Sequence, residues 1–263
     1  MKTWKCRVCG YTSSADEPPE ECPQCSSNSL EFIEKKDQIK LKYDKKSFDV
    51  LLINGSSHSA HNSNILADYA QKALKDRNVS YRRYNLNEYD IRHCWCCYSM
   101  RDAACTYPCR NQIDDMPAFH EMILDSKAVI IVSPINWNNM SARLKDFLDR
   151  CTCIQNQYLL GKKSLTVGKI AGLIINGHED GALKTAMDIF VYLQQMGYIL
   201  APYGFAYRIH GSNYNSNTDS EFFSTDAKIK RDVDGIVNNV VQMLKLDIER
   251  ELKSGDKIIP VCE

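Results

Sequence analysis

The chain lacks a net charge: 33 lysines and arginines balance 33 aspartates and glutamates over 263 residues. Without a global basic field, neither nucleic acid nor an anionic membrane surface is expected as a partner. Long apolar runs are missing as well. They reach only about five residues, as in AVIIV (Ala128 to Val132), against the roughly 20 that a spanning helix needs. The start, MKTWKC, has no apolar leader region, so a cytoplasmic location is expected. Internal repeats and low-complexity tracts are absent, and 44% apolar with 25% charged residues excludes a disordered or fibrous chain. Cysteine, by contrast, is plentiful, at twelve. A chain of this size can bury a core without disulfides, and a reducing compartment keeps thiols free. The cysteines therefore point to metal or redox chemistry.

The composition changes near residue 35. Residues 1–34 hold four cysteines and three prolines, with three basic against six acidic side chains, and are too few to fold on an apolar core alone. Lys35 to Lys46 carries six lysines and two aspartates and reads as a tether, so the expected parts are a metal domain 1–34, a linker 35–47 and a larger domain 48–263. The acidic and basic pieces make any partner docking local and salt-sensitive.

From Phe48 onward, strand and helix patterns alternate, the mark of a parallel sheet covered by helices. FDVLLIN (Phe48 to Asn54), SYRRYNL, AVIIVS (Ala128 to Ser133), KIAGLIIN (Lys169 to Asn176) and YILAPYGFAY (Tyr198 to Tyr207) read as five strands. Helical spacing recurs from Ile65, at Ala118 to Leu124, Ser141 to Arg150, Ala182 to Met196 and Ile229 to Leu246. The expected fold is α/β, a flavodoxin-like doubly wound five-stranded parallel sheet preceded by a small metal-binding domain. In such sheets ligands bind beyond the carboxyl ends of the strands, which selects the loops after Asn54, Ser133 and Asn176.

Two CxxC pairs, Cys6 with Cys9 and Cys22 with Cys25, stand twelve residues apart. Facing knuckles of this kind set four thiolates at the corners of a tetrahedron, which suits iron or zinc. The flanks, Trp4, Gly10-Tyr11 and Pro23, resemble the rubredoxin-like module of rubrerythrins, although Ser26 stands where a glycine is usual. That resemblance implies a single iron acting as a one-electron carrier, with zinc as the alternative.

NGSSHSAHNSN (Asn54 to Asn64) leaves a strand and enters a helix, crowded with hydroxyls and amides. Such a start can cradle an anion, or simply cap the helix in a polar turn. It has no Walker lysine and no GxGxxG spacing, which disfavours a nucleoside triphosphate. With SPINWNNMSARLKDFLDR (Ser133 to Arg150) and NGHEDGA (Asn176 to Ala182), the chain from about 48 to 246 resembles the NADPH-dependent FMN reductases and their iron-sulfur flavoprotein relatives. The resemblance implies that Ser56, His58, Asn62 and Ser63 hold the FMN phosphate, with His61 and Asn64 as further candidates. It implies that Pro134, Ile135, Asn136, Trp137 and Met140 line the isoalloxazine, and that Gly177, His178, Glu179 and Gly181 close its other side. His58 replaces a common arginine and Asn136 a common tyrosine. Homodimers or homotetramers are expected on the same ground.

HCWCCYSMRDAACTYPCR places Cys94, Cys96, Cys97, Cys105 and Cys109 in the connection between the second and third strands. The iron-sulfur flavoproteins carry a [4Fe-4S] cluster on a compact cysteine run here. Cys94 and Cys97 fit its first pair, Met100 stands where its third ligand should be, and Cys105 and Cys109 offer a different completion. A second metal site, a redox-active thiol pair and a buried cysteine loop are the alternatives. Cys151 and Cys153 read as packing residues and Cys262 as an incidental thiol.

A flavin accepts two electrons as hydride and releases them singly, and a one-iron thiolate centre handles one at a time. The leading reading is an FMN oxidoreductase passing electrons between the iron, FMN and NAD(P)H or a small-molecule acceptor, with a redox protein as an alternative donor. A non-catalytic electron carrier serving a larger redox partner is the second reading. A zinc-stabilised binding module on a flavin-free sheet is the third.

Overall fold

The structure is a computed structural model that describes residues 2–6, 11–23, 29, 32–34, 41–58, 62–99, 102–178, 180–210 and 216–254. The chain divides into two compact units, Met1–Lys40 and Leu41–Glu263.

In the first unit, β1 (Lys2–Cys6) lies between β2 (Thr12–Ala15) and β3 (Phe32–Glu34), both antiparallel to it. Its apolar cluster is small, as expected for so few residues: Cys22 and Phe32 are buried, with Trp4 and Tyr11 against them. The Trp4 indole N–H donates to the Ala15 carbonyl at 3.2 Å, fastening β1 to the end of β2.

The second unit runs β4 (Phe48–Asn54), α1 (Asn62–Asp76), β5 (Tyr81–Asn85), α2 (Met116–Asp125), β6 (Ser126–Pro134), α3 (Ala142–Arg150), α4 (Thr152–Leu159), β7 (Ile170–Gly177), α5 (Ala182–Gln195), β8 (Ile199–Ile209), α6 (Ser216–Thr225), α7 (Ala227–Leu244) and α8 (Ile248–Ser254). The five strands are parallel in the order β5-β4-β6-β7-β8. This is the expected doubly wound sheet.

Period-two alternation builds a core on each face. Leu51 and Ile53 of β4, Val129 and Ile131 of β6, and Leu173 and Ile175 of β7 pack with residues of α2 to α5. Their neighbours Val50, Leu52, Ile130, Val132 and Ile174 pack with α1 and α7. Both faces are covered, so the central strands are apolar at almost every position and read as continuous runs.

β8 behaves differently. It is an edge strand, its register with β7 slips between Ala171 and Leu173, and Tyr203 there has φ 49°. An edge accommodates Pro202, which has no N–H to give a ladder. The lysine-rich stretch is anchored from Leu41 onward. The Leu41 N–H donates to Asp115 at 2.5 Å, the Tyr43 hydroxyl donates to Asp125 at 2.9 Å, and Leu41 and Tyr43 pack on the core.

Candidate functional site

Strand register brings the selected loops to one edge. Asn54 pairs with Val132 and Asn85, and Pro134 pairs with Asn176. The side chain of Asn54 is the knot of the first loop. Its Nδ2 donates to Asn64 Oδ1 at 2.8 Å and to Asn85 Oδ1 at 3.3 Å, while its Oδ1 accepts from the Ser56 N–H at 3.0 Å. Ser56 Oγ accepts from the His58 N–H at 3.1 Å, and Asn64 Nδ2 donates to the His58 carbonyl at 3.3 Å. Ser63 Oγ donates to Asn176 Oδ1 at 2.9 Å, tying this loop to the end of β7.

Ser56, Ser63 and Asn64 are thus buried and bonded within the protein, where they shape the loop and aim α1. His58 is exposed, and the first N–H groups of a helix such as α1 have no partner within the helix. The amide oxygen of Asn62 is buried without a partner. Turned end for end, that amide offers an N–H at the same place, the donor a phosphate requires. His61 lies outside the described residues.

The second loop is a tight turn. Asn136 and Asn139 exchange hydrogen bonds of 2.7 and 3.0 Å around Trp137 and Asn138, whose φ values are 52° and 57°. Two left-handed central residues define a type I′ turn, which asparagine tolerates and a bulky residue does not. Holding Trp137 there costs about 1–2 kcal/mol, and its side chain is 99% exposed, so core packing does not explain it. Ile135 and Met140, by contrast, face the core. Ser141 caps α3 by accepting from the Leu144 N–H at 3.1 Å and donates to the Gly55 carbonyl, joining the second loop to the first. Ser141→Ala is expected to destabilise the protein by about 1–2 kcal/mol through the lost cap and the orphaned buried carbonyl. Urea denaturation would measure it.

The third loop follows β7. The Ile135 N–H donates to the Asn176 carbonyl at 2.8 Å, and the His210 N–H donates to the Gly177 carbonyl at 3.0 Å. Gly181 starts α5 with φ 104°, and a Cβ there would stand 2.9 Å from Asn138 Cα. His178 Nε2 lies 2.9 Å from Asp219, whose other oxygen is 3.0 Å from His210 Nδ1. Asp219 is buried on α6, and His210 stacks on Phe222 at 3.9 Å. Sequence reasoning missed Asp219 and His210; the available signal was a histidine directly after a strand on the same edge as His178. Glu179 lies outside the described residues. A groove of about 500 Å³ runs between β8 and α7, lined by Tyr203, Tyr207, Arg208 and Arg231 among others, and none of its lining residues belongs to the three loops.

The cysteine-rich connection between β5 and α2 is clamped by Arg150, the last residue of α3. Its guanidinium is fully buried against Asp114 and also donates to the Arg92 carbonyl at 3.0 Å and the Asn111 carbonyl at 2.7 Å. Asn156 of α4 donates to the Cys105 carbonyl at 2.8 Å. Interaction with Cys153, outweighing the effect of burial and helped by the Asn111 N–H and Arg150, lowers the Cys109 thiol to about 6. Burial pushes Cys105 up to about 11.

Cys94, Cys97 and Cys109 lie within electrostatic range of Cys105. Even so, among the described residues no three Cys, His, Asp or Glu side chains gather as a metal would require. Cys151 and Cys153 are buried in the core. Met100 and Cys262 lie outside the described residues.

His120 is buried, with Nε2 2.9 Å from the Arg150 carbonyl and 3.6 Å from Cys153 Sγ. Burial pushes its imidazole down to about 4. The unfolded chain therefore takes up a proton near pH 6.5 that the folded chain refuses until near pH 4. Stability from this group is complete above 6.5 and is lost as pH falls through that window, by about 3 kcal/mol in all. Urea midpoints at pH 7 and 4.5 should show a shallower fall for His120→Gln than for the parent.

In the first unit, Cys22 is buried beside Trp4 and Tyr11. Cys9, Cys25 and Ser26, and the side chain of Cys6, lie outside the described residues.

The strand order and the loop cluster at the carboxyl edge define a flavodoxin-like protein. RosB, solved with its bound intermediate 8-demethyl-8-formylriboflavin-5′-phosphate, shares this fold at TM-score 0.60 and 18% identity, over 82% of this chain and 91% of that one. The chain belongs to the NADPH-dependent FMN reductase family, which residues 48–210 match, and residues 4–32 match the rubredoxin-like domain of rubrerythrin. An iron-sulfur flavoprotein of Methanocaldococcus jannaschii is 26% identical over 165 residues, 60% of this chain and 74% of that protein. Reverse rubrerythrin-1 of Clostridium acetobutylicum is 45% identical over 38 residues, 14% of this chain and 21% of that protein. A flavin redox role follows from the family.

Proposed function

We propose that the protein is an FMN-dependent oxidoreductase that passes electrons between a rubredoxin-type iron held by Cys6, Cys9, Cys22 and Cys25, FMN, and NAD(P)H or a small acceptor. The observation that carries this reading is the loop cluster itself: three loops tied together at one sheet edge, with Trp137 held in an unfavourable backbone conformation and its ring in solvent. FMN supplies reversible hydride and single-electron chemistry when bound. The chain's share is to bind and orient. The N–H groups at the start of α1, with Asn62 and His58, face the phosphate. Pro134, Ile135, Asn136 and Trp137 run along the ring, and Gly177, His178, Glu179 and Gly181 close its far side. Backbone N–H groups in these loops stabilise negative charge without a side-chain acid or base. The protein acts in the cytoplasm as a homodimer or homotetramer.

The test is anaerobic reconstitution with FMN, followed by turnover with NAD(P)H and a small acceptor. A flavin absorption spectrum with catalytic reduction of the acceptor supports the enzyme. A bound flavin that only a partner reductase can bleach identifies a carrier, and a colourless protein that takes up no FMN overturns both. Trp137→Ala is expected to weaken FMN binding about 2- to 10-fold, the range of an aromatic stacking contact, while leaving the thermal midpoint of the flavin-free protein unchanged or slightly raised. Fluorescence titration reads the affinity.

A further inference from the structure

We propose that the groove between β8 and α7 takes an extended acidic segment of a partner protein, which adds to the sheet as a sixth strand beside β8. β8 ends the sheet, and among the described residues no strand lies beyond it. An edge of this kind presents backbone N–H and C=O groups to any extended chain that reaches it, and proteins usually blunt it with proline, bulges or charge. Here only the first half is blunted. Pro202, the register slip with Tyr203 at φ 49°, and the donation from Asn239 Nδ2 to the Pro202 carbonyl at 2.8 Å close the edge there. Over residues 205–209 the strand has neither proline nor register slip, and five residues span about 17 Å. The groove lies along this half, since residues 205–209 all belong to its lining. Neighbouring residues of a strand point to opposite faces, so an unbroken run of lining residues marks the backbone edge rather than either face.

Charge and shape choose the occupant. The lining holds three basic side chains, Arg208, Lys228 and Arg231, against one carboxylate, Asp232. Arg208 is met by Asp226, but Lys228 (2.6 Å) and Arg231 (3.6 Å) share Asp232 and are both exposed. One positive charge on the α7 wall is therefore in excess. It attracts carboxylates, and it repels the same groove on a second copy of this chain. The β8 wall is aromatic, with Phe205 and Tyr207 stacked at 5.6 Å and Tyr207 exposed. A strand with acidic side chains on one face and apolar ones on the other satisfies both walls. Gly235 supplies the room. It stands inside α7 and in the groove lining, where glycine costs a helix about 1 kcal/mol relative to alanine, and a Cβ there would meet nothing within 4 Å. Packing within the chain does not require this glycine, whereas a strand laid against α7 does. The inference does not depend on the flavin reading.

The test titrates the full chain with fluorescein-labelled octapeptides and reads polarisation. A peptide of alternating glutamate and valine is expected to bind, more weakly as salt rises. An alternating lysine and valine peptide, and a block peptide of four glutamates followed by four valines, should bind about tenfold more weakly or not at all. Bound acidic peptide should slow amide hydrogen exchange in the fragment that carries residues 205–209. Arg231→Glu is expected to weaken the acidic peptide about tenfold. Gly235→Leu should abolish its binding while leaving the thermal midpoint unchanged or raised, because leucine is the better helix former, which separates loss of the groove from loss of the fold. Failure of the alternating acidic peptide to bind, equal binding of the lysine peptide, or unchanged binding to Gly235→Leu would overturn the proposal. So would a dimer of the parent, seen by sedimentation velocity, that Gly235→Leu dissociates, because a second copy would then fill the groove.

Discussion

Asp114→Ala is expected to cost about 3–5 kcal/mol of stability, the largest single effect of any substitution considered, because it leaves a fully buried guanidinium without its counter-charge. Burial alone would push Arg150 down, yet Asp114 holds it above the usual arginine range. Arginine does not escape by losing its proton. The same carboxylate accepts from the Arg92 N–H at 2.8 Å and the Met116 N–H at 3.2 Å, so the start of α2 and the first half of the connection lose donors' partners together. Arg77 and Asp234 provide the contrast. Their two hydrogen bonds are both 2.8 Å, but the Asp234 side chain is 55% exposed, and Asp234→Ala should cost about 0.2–1 kcal/mol. Chemical denaturation of the two variants measures the ordering. If Asp114→Ala falls in the range of Asp234→Ala, the buried pair is not what holds the connection down. Asp114→Ala should also raise the rate at which Cys109 is alkylated, a readout that general loss of stability would spread over Cys151 as well.

The strands were legible because burial on both faces leaves a continuous apolar run, and the rule that ligands gather at carboxyl ends then located the loops. Individual side chains within those loops were not legible. Ser56, Ser63 and Asn64 look like ligands in a polar run, since nothing local distinguishes a hydroxyl aimed outward from one bonded to Asn176, 113 positions away. The same limit hid Asp219 between His178 and His210, Asp114 against Arg150, and Cys153 against His120. Each partnership closes only when strand order brings distant loops together. α4 was missed for a local reason: Cys151 ends α3 and begins α4 with φ −75° and ψ −7°, so no capping side chain or breaker marks the boundary. Leu41 and Tyr43 were visible as isolated apolar residues in a basic stretch, and with a single turn of pattern they carried no period.

Gly181→Ala is expected to weaken FMN binding more than Trp137→Ala does, although Gly181 carries no side chain. Two costs coincide at this residue. Its φ of 104° strains any residue with a Cβ, and that Cβ would stand 2.5 Å from Asn138 Oδ1 and 2.9 Å from Asn138 Cα. The Asn138 side chain can rotate away. Its Cα cannot, because Asn138 sits in the turn closed by Asn136 and Asn139, and Gly181 is held by Asp180 at its N–H (2.7 Å) and by Thr185 at its carbonyl (2.9 Å). Relief therefore moves the turn that presents Trp137. The expected result is a stability loss of about 2–3 kcal/mol from strain and clash together, with FMN affinity down more than tenfold. Gly161 separates the two causes: its φ is 72° and a Cβ there meets nothing within 4 Å, so Gly161→Ala should show about 1–2 kcal/mol of strain and unchanged FMN binding. A double-mutant cycle completes the argument. If Gly181 acts by positioning Trp137, then Trp137→Ala costs little further affinity once Gly181→Ala is present. Full additivity of the two losses would mean that the third loop contacts the flavin independently of the second.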